Sequence, residues 1–168
     1  TNFLKKKKKK KTVVMFPNNS YKKLVETKLD NLNLSSFKRF NYNPNPEVLT
    51  GEIEILTNYS QRKKNLELRK KIFEDKDDEQ SIKELEKLEQ LYTLGGVNFD
   101  SVIIIDFGNS LKSVLTSLIY TDVNQNEVLI TTVNQWFDES IFYENTIKNL
   151  YYPSICLLYT SDAADEVV

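Results

Sequence analysis

Three short polar clusters carry the residues able to do chemistry on a ligand. They are Pro17-Asn18-Asn19-Ser20-Tyr21, Asp106-Phe107-Gly108-Asn109-Ser110, and Thr132 with Asn134-Gln135-Trp136. Asn18, Asn19 and Ser20 offer neutral hydrogen bonds, and beside a helix N-terminus such a set suits a carboxylate or another anion. Gly108 lets backbone approach a bound molecule closely, and Trp136 offers a stacking face. Asn18, Asn19, Ser20, Tyr21, Asp106, Gly108, Asn109, Asn134, Gln135 and Trp136 are therefore the candidate ligand-binding residues. Each also has an ordinary structural reading: Asn and Ser after a strand cap helices, Gly108 serves a turn, and Trp136 covers a sheet edge.

Composition excludes several catalytic arrangements for these clusters. The chain contains no histidine, which removes Ser-His and His-metal arrangements. Its one cysteine, Cys156, lies near the end of the sequence, so no disulfide, zinc-thiolate site or thiol nucleophile is expected in the body. Neither a GxGxxG nor a P-loop pattern is present, and no cofactor or metal is expected.

The elements that must position the clusters follow from hydrophobic pattern. Thr12–Phe16 is a β-branched apolar run bounded by Lys and Pro, and it reads as a buried strand. Ser20 is expected to cap a helix in which Tyr21, Leu24, Val25 and Leu29 keep helical spacing. A second, loosely alternating strand spans Phe37–Tyr42 and ends at Asn43-Pro44-Asn45-Pro46. From Glu47 a long helix carries the stripe Leu49, Ile53, Leu56, Tyr59, Leu66 and Phe73. Asp75–Glu79 is an acidic turn, and Ser81 with Glu84 forms a capping-box pattern for a second helix through Leu85, Leu88 and Leu91, ended by Gly95-Gly96. This pair reads as a helical hairpin on the surface, with a partner-binding coiled coil as the alternative. Val102–Phe107 is the strongest strand, apolar enough to be buried on both faces of a parallel sheet. A helix follows from Gly108 through Ile119, then a polar turn at Asp122–Asn126, a fourth strand at Glu127–Val133, a short helix around Ser140–Tyr143, and a fifth strand at Leu150–Tyr152.

Strands alternating with helices imply an α/β fold with right-handed crossovers. The natural arrangement is a doubly wound five-stranded parallel sheet in order 2-1-3-4-5, with helices on both faces and the long hairpin between strands 2 and 3. Ligands approach such sheets at the carboxyl ends of the strands, near the switch point between strands 1 and 3. Asn18, Asn19, Asp106 and Trp136 are expected to line one concave surface there, with the Glu47–Tyr92 helices away from it.

Charge and chain ends qualify this reading. The formal charge is −1, from 23 basic and 24 acidic residues. Setting aside Lys5–Lys11 and the tail acids Asp162, Asp165 and Glu166 leaves 16 basic against 21 acidic residues, a net of −5. A mildly acidic body argues against nucleic acid as a partner. The lysine run, residues 1–11 as a basic lead-in, reads as a solvated approach to the first strand; a basic arm and a misread adenine tract are the alternatives. Residues 12–155 form the folded body. The stretch from Cys156 to Glu166 resembles an in-frame translation of sequencing-adapter DNA, so residues 156–168 are expected to be adapter-derived. The only methionine, Met15, sits inside the first strand and is expected to be internal, which leaves both natural ends beyond this sequence. No apolar stretch approaches the roughly 20 residues of a transmembrane helix.

The run Val14-Met15-Phe16-Pro17-Asn18-Asn19-Ser20-Tyr21 resembles the strand-to-helix signature LLPNNxYG of leucine-binding-protein-like periplasmic receptors, closest to the branch of penicillin-binding-protein activators. Further stretches follow that branch in order: Leu56–Lys63, Leu94–Val102, Leu118–Asn124, Val128–Thr132 and Gln135–Ser140. Two departures touch the pocket: Lys22 stands where Gly usually follows the Tyr, and Val133-Asn134 replaces small turn residues before Trp136.

The resemblance implies one lobe of a type I periplasmic-binding-protein fold, with a small-molecule ligand held in a cleft between two lobes. It implies an extracytoplasmic or periplasmic, bacterial, non-catalytic receptor. Solute capture for an ABC-type importer of amino acids or similar small molecules is the first function it suggests, with the ABC permease as partner. A regulatory lipoprotein partner of peptidoglycan synthases is the second. A phospho-accepting receiver domain is a remote alternative from another class: Asp106 and Thr131 or Thr132 sit at suitable strand ends, but the acidic pair after strand 1 and the Lys after strand 5 are missing.

Overall fold

The computed structural model describes residues 4, 6–32, 37–74, 76–132, 146–147 and 149–151. Among the described residues the main elements follow in the order β1 (Thr12–Pro17), α1 (Lys22–Asn31), β2 (Lys38–Tyr42), α2 (Pro46–Thr57), α3 (Tyr59–Glu74), α4 (Glu79–Glu89), β3 (Ser101–Ile104), α5 (Gly108–Tyr120), β4 (Leu129–Thr132) and β5 (Leu150–Tyr151). The strands make one parallel sheet in the order β2-β1-β3-β4-β5, as the alternation of elements requires. Among the described residues no helix is long and apolar enough to cross a membrane.

The sheet is organised by β1, all six residues of which are buried. It pairs on both sides, Val14 standing opposite Arg39 of β2 and Ile103 of β3. Period-two geometry then splits its side chains between two cores. Val13 and Met15 join Val102 and Ile104 beneath α2 and α5, whereas Val14 and Phe16 join Leu29 of α1 and the flanking Ile103 and Ile105. Each such side chain contributes roughly 1.5–3 kcal/mol by leaving water. The α2–α5 face is the deeper one. Leu111, Val114, Leu115 and Leu118 of α5 and Leu49, Ile53 and Leu56 of α2 lie within it at helical spacing. On the other face α1 buries only Leu29, while Tyr21, Leu24 and Leu32 stay largely exposed. Lys38 and Arg39 face water on the edge strand β2, where charges discourage pairing with another chain.

Several boundaries differ from the sequence reading, each for a local reason. The long helix expected from Glu47 is two helices. Asn58 takes a left-handed conformation at φ 52 and caps α2, and its carbonyl accepts the N–H of Arg62 to start α3. Asn tolerates that conformation far better than branched residues. At the start of α2, Pro46 occupies the first turn and the Asn45 side chain accepts from the Glu47 N–H at 3.1 Å. For α4 the cap is Asp78 rather than Ser81: its carboxylate accepts both the Ser81 N–H at 2.9 Å and the Ser81 hydroxyl at 2.6 Å. Those two bonds hold the Asp78 carboxyl below its usual range. The helix ends at Glu89, short of Gly95-Gly96, which belong to the following loop. Ser20 does not cap α1; Tyr21 occupies the cap position without a side-chain bond. β3 is shorter than Val102–Phe107 because only Ile105 beyond it still donates to β1, at the Met15 carbonyl. β4 starts after Glu127 and Val128, whose N–H groups close a turn on the Asn124 carbonyl. The helix expected at Ser140–Tyr143, residue 133 of strand 4, residue 152 of strand 5 and the tail 156–168 lie outside the described residues.

The amino-terminal end of the sheet is fastened by two charged groups. Asp100 accepts the N–H groups of Lys10 and Lys11 at 2.8 and 3.0 Å. Burial opposes ionisation of Asp100, but these bonds outweigh it and leave its carboxyl below the usual range. Arg62 is buried and ties α3 to two loops. Its guanidinium donates to the carbonyls of Gly95, Thr121 and Asp122 and to the Thr93 hydroxyl, over 2.7–3.0 Å. Burial pulls its pKa down, and the Asp122 carboxylate 3.8 Å away works against that. Truncation would leave three carbonyls without donors. Arg62→Ala is expected to cost about 3 kcal/mol in urea unfolding, and Arg62→Lys to recover only part, because one ammonium cannot span both loops. A loss below about 1 kcal/mol would show that the loops hold without it.

Candidate functional site

The order 2-1-3 places the switch point between β1 and β3. From β1 the chain leaves through α1 on one face, and from β3 it leaves through α5 on the other. The divergence opens a recess at the carboxyl ends of both strands. Its walls are Pro17, Leu24, Val25 and Ile105, with the aromatic rings of Tyr21 and Phe107 and two polar residues, Asn19 and Asp106. The volume is about 250 Å³, somewhat below the 300 Å³ or more of drug-sized ligand pockets. It is large enough for part of a small molecule and open on one side. Phe107 is 58% exposed and Tyr21 55% exposed, so apolar ring surface faces water at its rim.

Asp106 sits beneath this recess in a closed hydrogen-bond system. Its side chain is buried. One oxygen, Oδ1, accepts the Phe107 N–H at 2.8 Å. The other, Oδ2, accepts both the Tyr42 and the Ser110 hydroxyls. Tyr42 comes from the last position of β2 and is fully buried, so the carboxylate joins the ends of β2 and β3 to the first turn of α5. Burial, followed by the hydrogen bond and charge of Asp106, pushes the Tyr42 phenol far above its usual pKa, with a smaller opposing contribution from Ser110. A negative charge at the start of α5 also complements the helix dipole. The helix itself has Phe107 at its cap position and no side-chain cap bond. A phospho-acceptor has to offer an oxygen to an incoming phosphoryl group, whereas Asp106 has both oxygens engaged with its own chain.

Gly108 opens α5 at φ +56, in the left-handed region. A Cβ there would meet no atom within 4 Å, so the need for glycine is conformational and not steric. Asn19 directs Oδ1 to the Tyr21 N–H at 2.9 Å, which leaves its amide N–H groups to offer. Asn18 is exposed and donates its backbone N–H to the Tyr42 carbonyl at 2.7 Å.

The structure thus brings Asn19, Tyr21 and Asp106 around one recess, with Gly108 immediately after it in the chain. Asn18 and Ser20 are exposed in the β1–α1 turn and do not line it. Asn109 lies elsewhere, in a groove with Pro46, Thr50, Lys112 and Ser113 between the first turns of α2 and α5. No residue of the Glu47–Tyr92 segment lines the recess; α2 packs on α5, and its first turn borders Asn109 in the separate groove. α3 is tied by Arg62 to the loops at the amino-terminal end of the sheet. Asn134, Gln135 and Trp136 lie outside the described residues.

Sequence reasoning missed Tyr42, Phe107 and the apolar wall of Leu24 and Ile105. The signal for Tyr42 was its place at the end of the strand beside β1, in step with Phe40. Phe107 gave no such signal, because an aromatic after an apolar strand reads as its continuation.

Compared with family models, with curated proteins and with solved structures, the chain matches none.

The raised phenol pKa makes a pH dependence measurable. The unfolded chain releases the Tyr42 proton near pH ~10, whereas the folded chain retains it, so stability from this group is complete below that pH and is lost as pH rises above it. The slope for one such group is about 1.4 kcal/mol per pH unit. Urea unfolding of Tyr42→Phe between pH ~9 and ~11 is expected to lack that slope relative to the parent chain. Parallel slopes would mean that the Tyr42 phenol titrates alike in the folded and the unfolded chain.

Proposed function

We propose that the chain is a non-catalytic ligand-binding lobe of a two-lobed extracytoplasmic solute receptor, serving an importer of amino acids or similar small molecules. The observation that carries this reading is the recess at the switch point. It has apolar and aromatic walls, one amide with donors to offer, and a carboxylate already saturated by its own chain. Such a surface can hold and orient a small molecule, but its one acidic group is engaged as a structural acceptor and not poised as a general base. Its one-sided opening and exposed rim aromatics suit closure by an opposing wall, as in receptors that clamp a ligand between lobes. The resemblance of Val14–Tyr21 and the later stretches to leucine-binding-protein-like receptors supports the same assignment.

A half-site binds weakly, with dissociation constants expected in the range of about 1–10 mM. Backbone amide NMR of the isotopically labelled chain, titrated with a panel of amino acids and small neutral metabolites, reads that range. Shifts are expected to cluster at Asn19, Tyr21, Leu24 and Phe107. Phe107→Ser is expected to weaken binding about tenfold while leaving the fold intact, because the ring is mostly exposed. Shifts confined to other surfaces, or none across the panel, would contradict the reading.

A further inference from the structure

The α3–α4 hairpin is left unexplained by a ligand-binding role. Its two helices lie side by side yet carry opposite charge. Apart from the buried Arg62, α3 holds Lys63, Lys64, Arg69, Lys70 and Lys71 against Glu67 and Glu74, a net of +3. The segment from Asp77 to Glu89 holds six acids against Lys83 and Lys87, a net of −4. Among the described residues no ion pair crosses from α3 to α4; the pairs within α4 are Lys83 with Glu79 and Lys87 with Glu84. Apolar side chains sit among these charges. Leu68 and Ile72, one turn apart on α3, are 60% and 51% exposed, and Ile82 on α4 is 48% exposed. Leu66, by contrast, points inward and is buried, so Leu68 and Ile72 lie on the outer side of the helix.

We propose that this hairpin is a self-association surface, on which α3 of one copy packs against α4 of a second copy. The charge pattern selects the partner. A second copy related by a two-fold axis brings each basic helix onto the acidic helix of the other copy in a single operation. Leu68 and Ile72 form the apolar centre, and Lys64 and Lys71 meet Glu86 and Glu89 at the rim. With 16 residues, α3 is roughly 24 Å long. Two helices of this size bury an area at the low end of specific interfaces, so the dissociation constant at low salt is expected to be on the order of 100 µM. The contact lies away from the switch-point recess and does not depend on what that recess binds.

Sedimentation equilibrium of the 168-residue chain, with reductant present to exclude a Cys156 disulfide, tests this directly. A monomer–dimer equilibrium is expected at about 50 mM salt and at least a several-fold weakening at about 500 mM, where the Debye length is only a few ångströms. Leu68→Glu combined with Ile72→Glu is expected to give monomer with an unchanged circular dichroism spectrum. Reversing the α3 charges (Lys64→Glu, Lys71→Glu) or the α4 charges (Glu86→Lys, Glu89→Lys) is expected to abolish self-association in each variant, and mixing the two variants to restore a heterodimer. A chain that stays monomeric at several hundred micromolar in low salt would overturn the proposal. So would a dimer indifferent to these substitutions, or a mixture of the charge-reversed variants that fails to pair.

Discussion

A carboxylate removed from water loses hydration worth several kcal/mol, and the folded state keeps it only where hydrogen bonds replace what was lost. Asp106 meets that condition with three donors from three places: the Tyr42 hydroxyl at the end of β2, the Ser110 hydroxyl in α5 and the Phe107 N–H following β3. Once satisfied, the charge fixes where β2 ends relative to β3 and where α5 starts. The left-handed Gly108 turns the chain into that helix, and Phe107 is directed outward to the rim of the recess. The shape of the candidate site therefore depends on a buried acid that does not itself need to touch a ligand. Arg62 plays the corresponding part at the other end of the sheet, where one guanidinium replaces missing donors for two loops.

This division explains how much was readable beforehand. The parallel sheet and its order were legible because Val13–Phe16 and Val102–Ile105 are too apolar for anything but a doubly covered strand, and because the alternation of elements allows few other topologies. Local capping was not. Asp78 displaced Ser81 as a cap because a carboxylate three residues earlier binds both the Ser81 N–H and its hydroxyl. Asn58 split one periodic stripe into two helices, since the apolar spacing from Leu49 to Leu66 continues through the break. Periodicity reports which face is buried and carries little information about a single left-handed residue.

The candidate site was legible in outline only. Strand ends after Pro17 and Asp106 are where the fold places ligands, and Asn19, Tyr21 and Asp106 do converge there. The roles within the set differ from residue types alone. Asp106 is a positioning group inside the wall, Asn109 belongs to a groove on the opposite face of the sheet, and the surface a ligand would meet is mainly apolar. A long-range contact between Tyr42 and Asp106, 64 residues apart, leaves no trace in spacing.

The Tyr42–Asp106 contact acts as a structural lock between strands. A double-mutant cycle in urea unfolding, with Tyr42→Phe, Asp106→Asn and the pair, measures it most directly. A coupling of about 1.5–3 kcal/mol is expected for a buried hydrogen bond to a charged acceptor. A coupling below about 0.5 kcal/mol would mean that the two groups act independently and that another contact sets the end of the sheet.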